Sequence, residues 1–251
     1  MSAARPTGPQ GPGRVALHHM RLALVGYTRG MVGPGELVGG PWRVEPLDVF
    51  ARSLADAARR QVSGPRIIAV DGRGGSGKSA LAERLRGAMA GAAVVHSDDV
   101  AWAHSRFGWD DLMIDGVLGP LRAGRGVQYQ PPAWRAHGRD GRIDVPANVQ
   151  TVIIEGVGVS RRTLAPLVDV AVWVQSDFGE ARRRGLRRDM VTLGRDESVA
   201  LQAWDEWEAE EVPFLLEDRP WERAHFIVAT ASSLPHNPQT EVMVASPVDL
   251  D

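Results

Sequence analysis

Cysteine is missing from the 251-residue sequence, which removes disulfides, thiolate metal sites and a cysteine nucleophile from consideration. Lysine is almost as scarce, Lys78 being the only one among 29 basic residues. No sign of charge dominates: the formal net charge is −2, so no basic face recommends a nucleic acid as partner. Long apolar runs are lacking too, and none approaches the ~18 residues of a membrane span. The opening stretch, Met1 to Arg14, is rich in proline and glycine and has no apolar centre of the kind a signal peptide needs. These absences lead us to expect a cytoplasmic protein with neither membrane nor nucleic-acid partners. A chain of this length buries one substantial core, with room for a small lid.

What is present is organised around Gly72-Arg73-Gly74-Gly75-Ser76-Gly77-Lys78-Ser79, followed by Ala80. The stretch fits the pattern Gly-x-x-x-x-Gly-Lys-Ser/Thr, whose backbone N–H groups wrap phosphates. The apolar run Arg66 to Asp71 before it reads as a strand, and Ser79 to Leu85 after it as the first turns of a helix. The loop therefore empties into a helix N-terminus, where unpaired N–H groups and the helix dipole favour an anion. In this frame Gly72 to Ala80 cradle a nucleoside triphosphate, Lys78 reaches the β- and γ-phosphates, and the Ser79 hydroxyl holds Mg²⁺. A sequence that uses arginine nearly everywhere has put its one compact ammonium where a point charge on phosphate is wanted. A GTPase is argued against, since an Asn-Lys-x-Asp base reader needs a second lysine.

Taken in order, residues 1–14 offer nothing to bury and read as a disordered tail. Residues 15–45 form an extension of unassigned role, with a short apolar run at Met20–Val25 that suits an extra strand. Pro46 to Val62 has helical apolar spacing. Beyond the loop helix, further buried strands are expected at Ala92–Ser97, Thr151–Ile154, Val170–Val174 and His225–Ala229. Helices are expected at Asp110–Leu121, Phe178–Val191 and Glu197–Leu216. Residues 232–251 read as a Pro/Ser-rich surface tail, leaving 46–231 as the working domain. Five short continuous apolar runs separated by helices predict an α/β fold: a three-layer P-loop NTPase sandwich with a five-stranded parallel sheet. Ligands of such sheets sit outside the carboxyl ends of the strands. Asp98, Asp99 and Glu155 stand at two of those ends, facing the loop. Asp98 is placed to accept the proton of an incoming hydroxyl or to hold Mg²⁺ through water, and Glu155 to act as the acid that shares the metal with Ser79. A run of arginines from Arg182 to Arg188, then Arg195, fits a small lid that brings guanidinium groups onto a transferring phosphoryl.

The order of these pieces resembles the uridine kinase-like branch of the P-loop small-molecule kinases, which includes phosphoribulokinase and bacterial pantothenate kinase. The resemblance covers residues 66 to about 230. It is carried by the loop, by Ser97-Asp98-Asp99, by Phe107-Gly108-Trp109-Asp110, by Tyr129, and by Ile154-Glu155-Gly156. It is carried further by Arg184 and Arg188-Asp189 with Gly194-Arg195-Asp196. It implies ATP and Mg²⁺ as cofactors, Asp98 as base, and Lys78, Arg184 and Arg188 as the cations of phosphoryl transfer. It also implies an acceptor site near Asp99, Tyr129, Trp134 and Arg135. Departures fall on the acceptor side: Gln130 follows Tyr129 where the family has Asp, and Pro131 to Arg135 replaces the stretch that carries its base-recognising histidine. The tryptophans between 102 and 134 suit either an aromatic acceptor pocket or ordinary packing. The expected activity is phosphorylation of a hydroxyl on a small molecule, with uridine or cytidine the first candidate. The alternatives are a same-fold kinase for pantothenate, glycerate, a sugar phosphate or an antibiotic, and a non-catalytic ATP-binding regulatory module. A homo-oligomer is left open.

Overall fold

A strand buried on both faces is apolar at every position, and this is what fixes the middle of the sheet. The computed structural model describes residues 32–58, 64–230 and 234–245. Within them β1 (Arg43–Pro46), β2 (Arg66–Gly72), β3 (Ala92–His96), β4 (Val127–Tyr129) and β5 (Ile143–Val145) are followed by β6 (Thr151–Glu155), β7 (Val170–Gln175), β8 (Phe226–Ala229) and β9 (Glu241–Ala245). Seven of them form one sheet in the order β1-β9-β8-β7-β2-β6-β3, while β4 and β5 make a separate two-stranded hairpin. The five strands from β8 to β3 are parallel to their neighbours and are the five expected from the sequence.

Two antiparallel strands extend that set. β9 pairs with β8, and β1 with β9 at the edge. The expectation that 232–251 is only a surface tail is thus corrected for Glu241–Ala245, whose Val242, Met243 and Val244 are buried. Antiparallel pairing needs no crossover helix, so nothing in the surrounding sequence announced it. Pro46 at the end of β1 is tolerated because an edge strand need not donate on both sides. The tail 1–14 and the apolar run at 20–25 lie outside the described residues.

Side chains alternate across each strand. Ile68 and Val70 of β2 join Phe50, Leu54, Leu81 and Leu85 in a core on one face. That core is roofed by α1 (Leu47–Ala57) and α2 (Lys78–Ala88). On the other face Ile67 and Ala69 meet Trp109 and, from the helical run 110–122, Met113 and Leu121; that run contains one π turn at Ile114–Leu118. Further along that face Trp173 and Ile227 pack on Leu215, a residue of the long helix α4 (Glu197–Asp218), which follows α3 (Phe178–Thr192). Each of these fully buried large apolar side chains contributes about 1.5–3 kcal/mol.

Register then decides what meets at the strand ends. In the parallel ladder Val70 lies opposite Glu155, and Glu155 opposite His96, so the ends of β2, β6 and β3 stand level.

Candidate functional site

The turn between β2 and α2 has a left-handed backbone at Gly75, with φ near +73°. A Cβ there would collide with the carbonyl oxygen of Ala181 in α3. The helix α3 thus rests directly on the loop. Ser76 N–H donates to the carbonyl of Arg73 at 3.1 Å, and Lys78 Nζ donates to that same carbonyl at 3.1 Å. Thr230 at the end of β8 ties the far side, its hydroxyl donating to Ser76 O at 2.7 Å.

Below the loop, Ser79 Oγ donates to Glu155 Oε1 at 3.0 Å, and Glu155 Oε2 lies 2.7 Å from His96 Nδ1. Burial raises the Glu155 carboxyl. The His96 hydrogen bond, the Lys78 charge and the Ser79 hydroxyl together outweigh that, and the net shift is downward. His96 is shifted up, chiefly by its hydrogen bond to Glu155. The hydroxyl of Ser79, the Glu155 carboxylate and Asp98 on the next strand end are all hard oxygen donors, which suits Mg²⁺. Among the described residues no group of three His, Cys, Asp or Glu side chains is gathered around one point. Mg²⁺ does not require one, because it keeps waters and phosphate oxygens for most of its positions.

A cleft of about 370 Å³ opens over this floor. Gly74, Gly75, Lys78 and Ser79 line one end, and Asp98, Glu155 and Arg188 are in its walls. Asp98 is exposed in a short helix, Ser97–Val100, that begins where β3 stops. Arg188 pairs with Asp189 at 2.9 Å, and Arg195 approaches the other oxygen of that carboxylate at 3.6 Å. Arg184 is placed differently. It reaches Thr230 Oγ1 at 3.4 Å, beside Gly77, and does not line the cleft. The Arg73 side chain is also turned away, buried behind the loop against Glu36.

The four residues expected on the acceptor side lie outside the cleft lining. Trp134 donates its indole N–H to Asp99 O at 2.8 Å. Its ring carries the Arg139 guanidinium 3.6 Å above the centroid, and Arg139 in turn donates to Asp99 Oδ1 at 2.6 Å. Trp102 flanks the same guanidinium at 5.2 Å. Tyr129 covers Gly116, and Arg135 is exposed. The slot between the two tryptophans is filled by the protein's own cation.

Three acids near the loop escaped the sequence reading. Asp71, fully buried, accepts from Gly72 N, Gly158 N, Ser160 N and Ser160 Oγ at 2.7–2.8 Å. Burial pushes its carboxyl up against those four bonds. Glu211 accepts from Gly74 N at 2.6 Å. Here a signal existed: the inward stripe of α4 runs Ala200, Trp204, Glu208, Glu211, Leu215, and two carboxylates on the buried face of a helix call for partners. Arg182 supplies one for Glu208, at 2.5 Å. The third acid, Glu36, gave no local signal.

No family model matches the sequence, and no curated protein is similar to it. Solved structures are. A "putative fructose transport system kinase" from Silicibacter sp. TM1040 is 18% identical over 63% of this chain and 87% of its own, with a TM-score of 0.50. A "possible uridine kinase" from Bacillus stearothermophilus is 20% identical over 67% of this chain and 92% of its own, with a TM-score of 0.40. The chain shares the fold of the Silicibacter protein, an α/β fold built on a mostly parallel central sheet.

Proposed function

We propose that this chain is an ATP- and Mg²⁺-dependent kinase that phosphorylates a hydroxyl of a small molecule, a nucleoside such as uridine or cytidine being the first candidate. The observation that supports it best is one cleft shared by Lys78, Ser79, Asp98, Glu155 and Arg188 at the N-terminus of α2. The backbone from Gly72 to Ala80 surrounds the phosphates. Lys78 leaves the Arg73 carbonyl to balance charge on the β- and γ-oxygens. Ser79 and Glu155 hold Mg²⁺, with Asp98 at hand through water; the metal, when bound, neutralises charge on the phosphate oxygens. Asp98 orients the acceptor hydroxyl and takes its proton as the oxygen bonds to the γ-phosphorus. The bond from that phosphorus to the bridging oxygen breaks, and ADP leaves. Arg188 meets the transferring phosphoryl in the cleft, with Arg184 supporting from behind the loop. Positioning of the two reactants supplies much of the rate. Asp99, Tyr129, Trp134 and Arg135 belong, in this proposal, to the flap that borders the acceptor.

The test is ADP release from ATP–Mg²⁺ by the purified chain against a panel of hydroxyl acceptors: nucleosides, pantothenate, glycerate, sugar phosphates and aminoglycosides. Release stimulated by one acceptor class is expected. ATP binding without stimulated release by any of them would favour a non-catalytic ATP-binding module.

A further inference from the structure

Behind the phosphate loop, on the side away from the cleft, lies a buried ion pair between two parts of the chain far apart in sequence. Arg73, the second residue of the loop, is 2% exposed. Its Nε donates to Glu36 Oε2 at 3.2 Å and its Nη2 to Pro34 O at 3.2 Å, while Nη1 has no partner among the described residues. Glu36 collects three further donors. Gly33 N–H reaches Oε2 at 3.3 Å, and Trp173 Nε1 and Gln175 Nε2 of β7 reach Oε1 at 2.6 and 2.9 Å. Gln175 also stitches the segment down, donating to Leu37 O at 2.7 Å and accepting from Gly39 N at 3.0 Å.

We infer that residues 33–39 are part of the nucleotide site, with Glu36 acting as a positioning residue that fixes the phosphate loop through Arg73. The inference rests on the proposal that this loop binds a nucleotide. Its force comes from where the chain of contacts ends. The Arg73 carbonyl is the acceptor for both Lys78 Nζ and Ser76 N. Glu36 sets the Arg73 side chain, the side chain sets the residue's backbone, and that backbone holds the one ammonium meant for phosphate. A carboxylate serving stability alone could sit anywhere along β7. This one bridges β7 to the loop residue whose carbonyl parks Lys78. Among the described residues Glu36 is the acid paired with Arg73, so loss of Glu36 leaves a buried guanidinium uncompensated, a costly state that a glycine-rich loop relieves by moving.

The experiment is isothermal titration of the full chain with ATP–Mg²⁺, comparing the unaltered protein with Glu36→Gln and with Glu36→Gln/Arg73→Met. The pair of changes buries no unmatched charge and keeps the test open should the single variant fail to fold. For whichever variants fold, we expect affinity weakened at least ~10-fold, with stoichiometry still near one, because a loosened loop binds less well rather than less often. An unchanged Kd with reduced stoichiometry would mean that Glu36 only keeps molecules folded, and would overturn the inference, as would a Kd equal to that of the unaltered protein in the double variant. If the unaltered chain binds no ATP, the functional proposal itself falls and this inference with it. If it binds ATP and the variants bind equally well, only this inference falls.

Discussion

The cleft around the phosphate loop and the proposed acceptor flap outside its lining are built on opposite plans. At the phosphate end, each backbone turn is held by a side chain from elsewhere: Thr230 on Ser76, Glu211 on Gly74, and Asp71 across to Gly158 and Ser160. The groups meant for the ligand are nonetheless poised for exchange, since Lys78 rests on a carbonyl and Ser79 on Glu155. In the proposed acceptor flap, the polar and aromatic groups are used up on one another. Arg139 lies against Trp134, and Asp99 holds Arg139 in place. A rigid frame with lightly held ligand groups is set for one ligand; a self-satisfied flap must rearrange before it can take another. Nucleotide binding should therefore be indifferent to changes in the flap, and acceptor binding should not be.

The largest effect that tests this contrast is Lys78→Ala. Loss of the only ammonium at the phosphate end should reduce kcat/KM for ATP by about 10³-fold or more, measured by steady-state ADP release. Near-normal turnover would remove the phosphate end from the chemistry. Next comes Asp98→Asn at the junction of cleft and flap, which should cost at least ~10²-fold in kcat, the lower scale for a general base. ATP affinity by titration should stay within about twofold there, since the change touches no phosphate contact. An unaltered kcat would take Asp98 out of that role.

Arg139→Ala sharpens the contrast from the other side. It should shift the KM for the acceptor by up to ~10-fold, in line with a cation–π contact and its ion pair. The Kd for ATP should not move, and a matching loss of nucleotide affinity would show that cleft and flap are coupled. The smallest effect concerns pH. His96 is shifted above its ordinary value of 6.5 and Glu155 below its ordinary 4.5. The stabilisation from His96 is complete below about pH 6.5 and disappears as pH rises through its folded value. That from Glu155 is complete above about pH 4.5 and disappears as pH falls. The pair therefore supports the fold most between those limits. His96→Gln should lower Tm at pH 6 by more than at pH 9, with under about 1 kcal/mol at stake because the imidazole is partly exposed. A gap as wide at pH 9 would contradict the assignment.

How far the sequence could be read follows from the same physics. The parallel strands were legible because burial on two faces leaves continuous apolar runs such as Val152-Ile153-Ile154 within the wholly buried β6. Lys78, Ser79, Asp98 and Glu155 were legible as a set because a parallel sheet brings its strand ends to one side. β1 and β9 were not: Arg43–Pro46 is partly exposed and carries a proline, and only pairing with a distant strand makes either of them a strand. Glu36 sits among glycines with no period, and apart from Gly33 its partners lie 37 to 139 residues away. For Trp134 and Tyr129 the sequence left an acceptor pocket and ordinary packing both open. An aromatic face is as well satisfied by a guanidinium or a glycine backbone of the same chain, here Arg139 and Gly116.

The rarity of lysine has a practical side. Lys78 is almost wholly concealed, so in this sequence amine-directed acylation can touch only one side chain and the terminal amine. Whether a nucleotide shields that side chain would then be legible as one mass increment beyond that of the terminal amine, with no background from any other lysine.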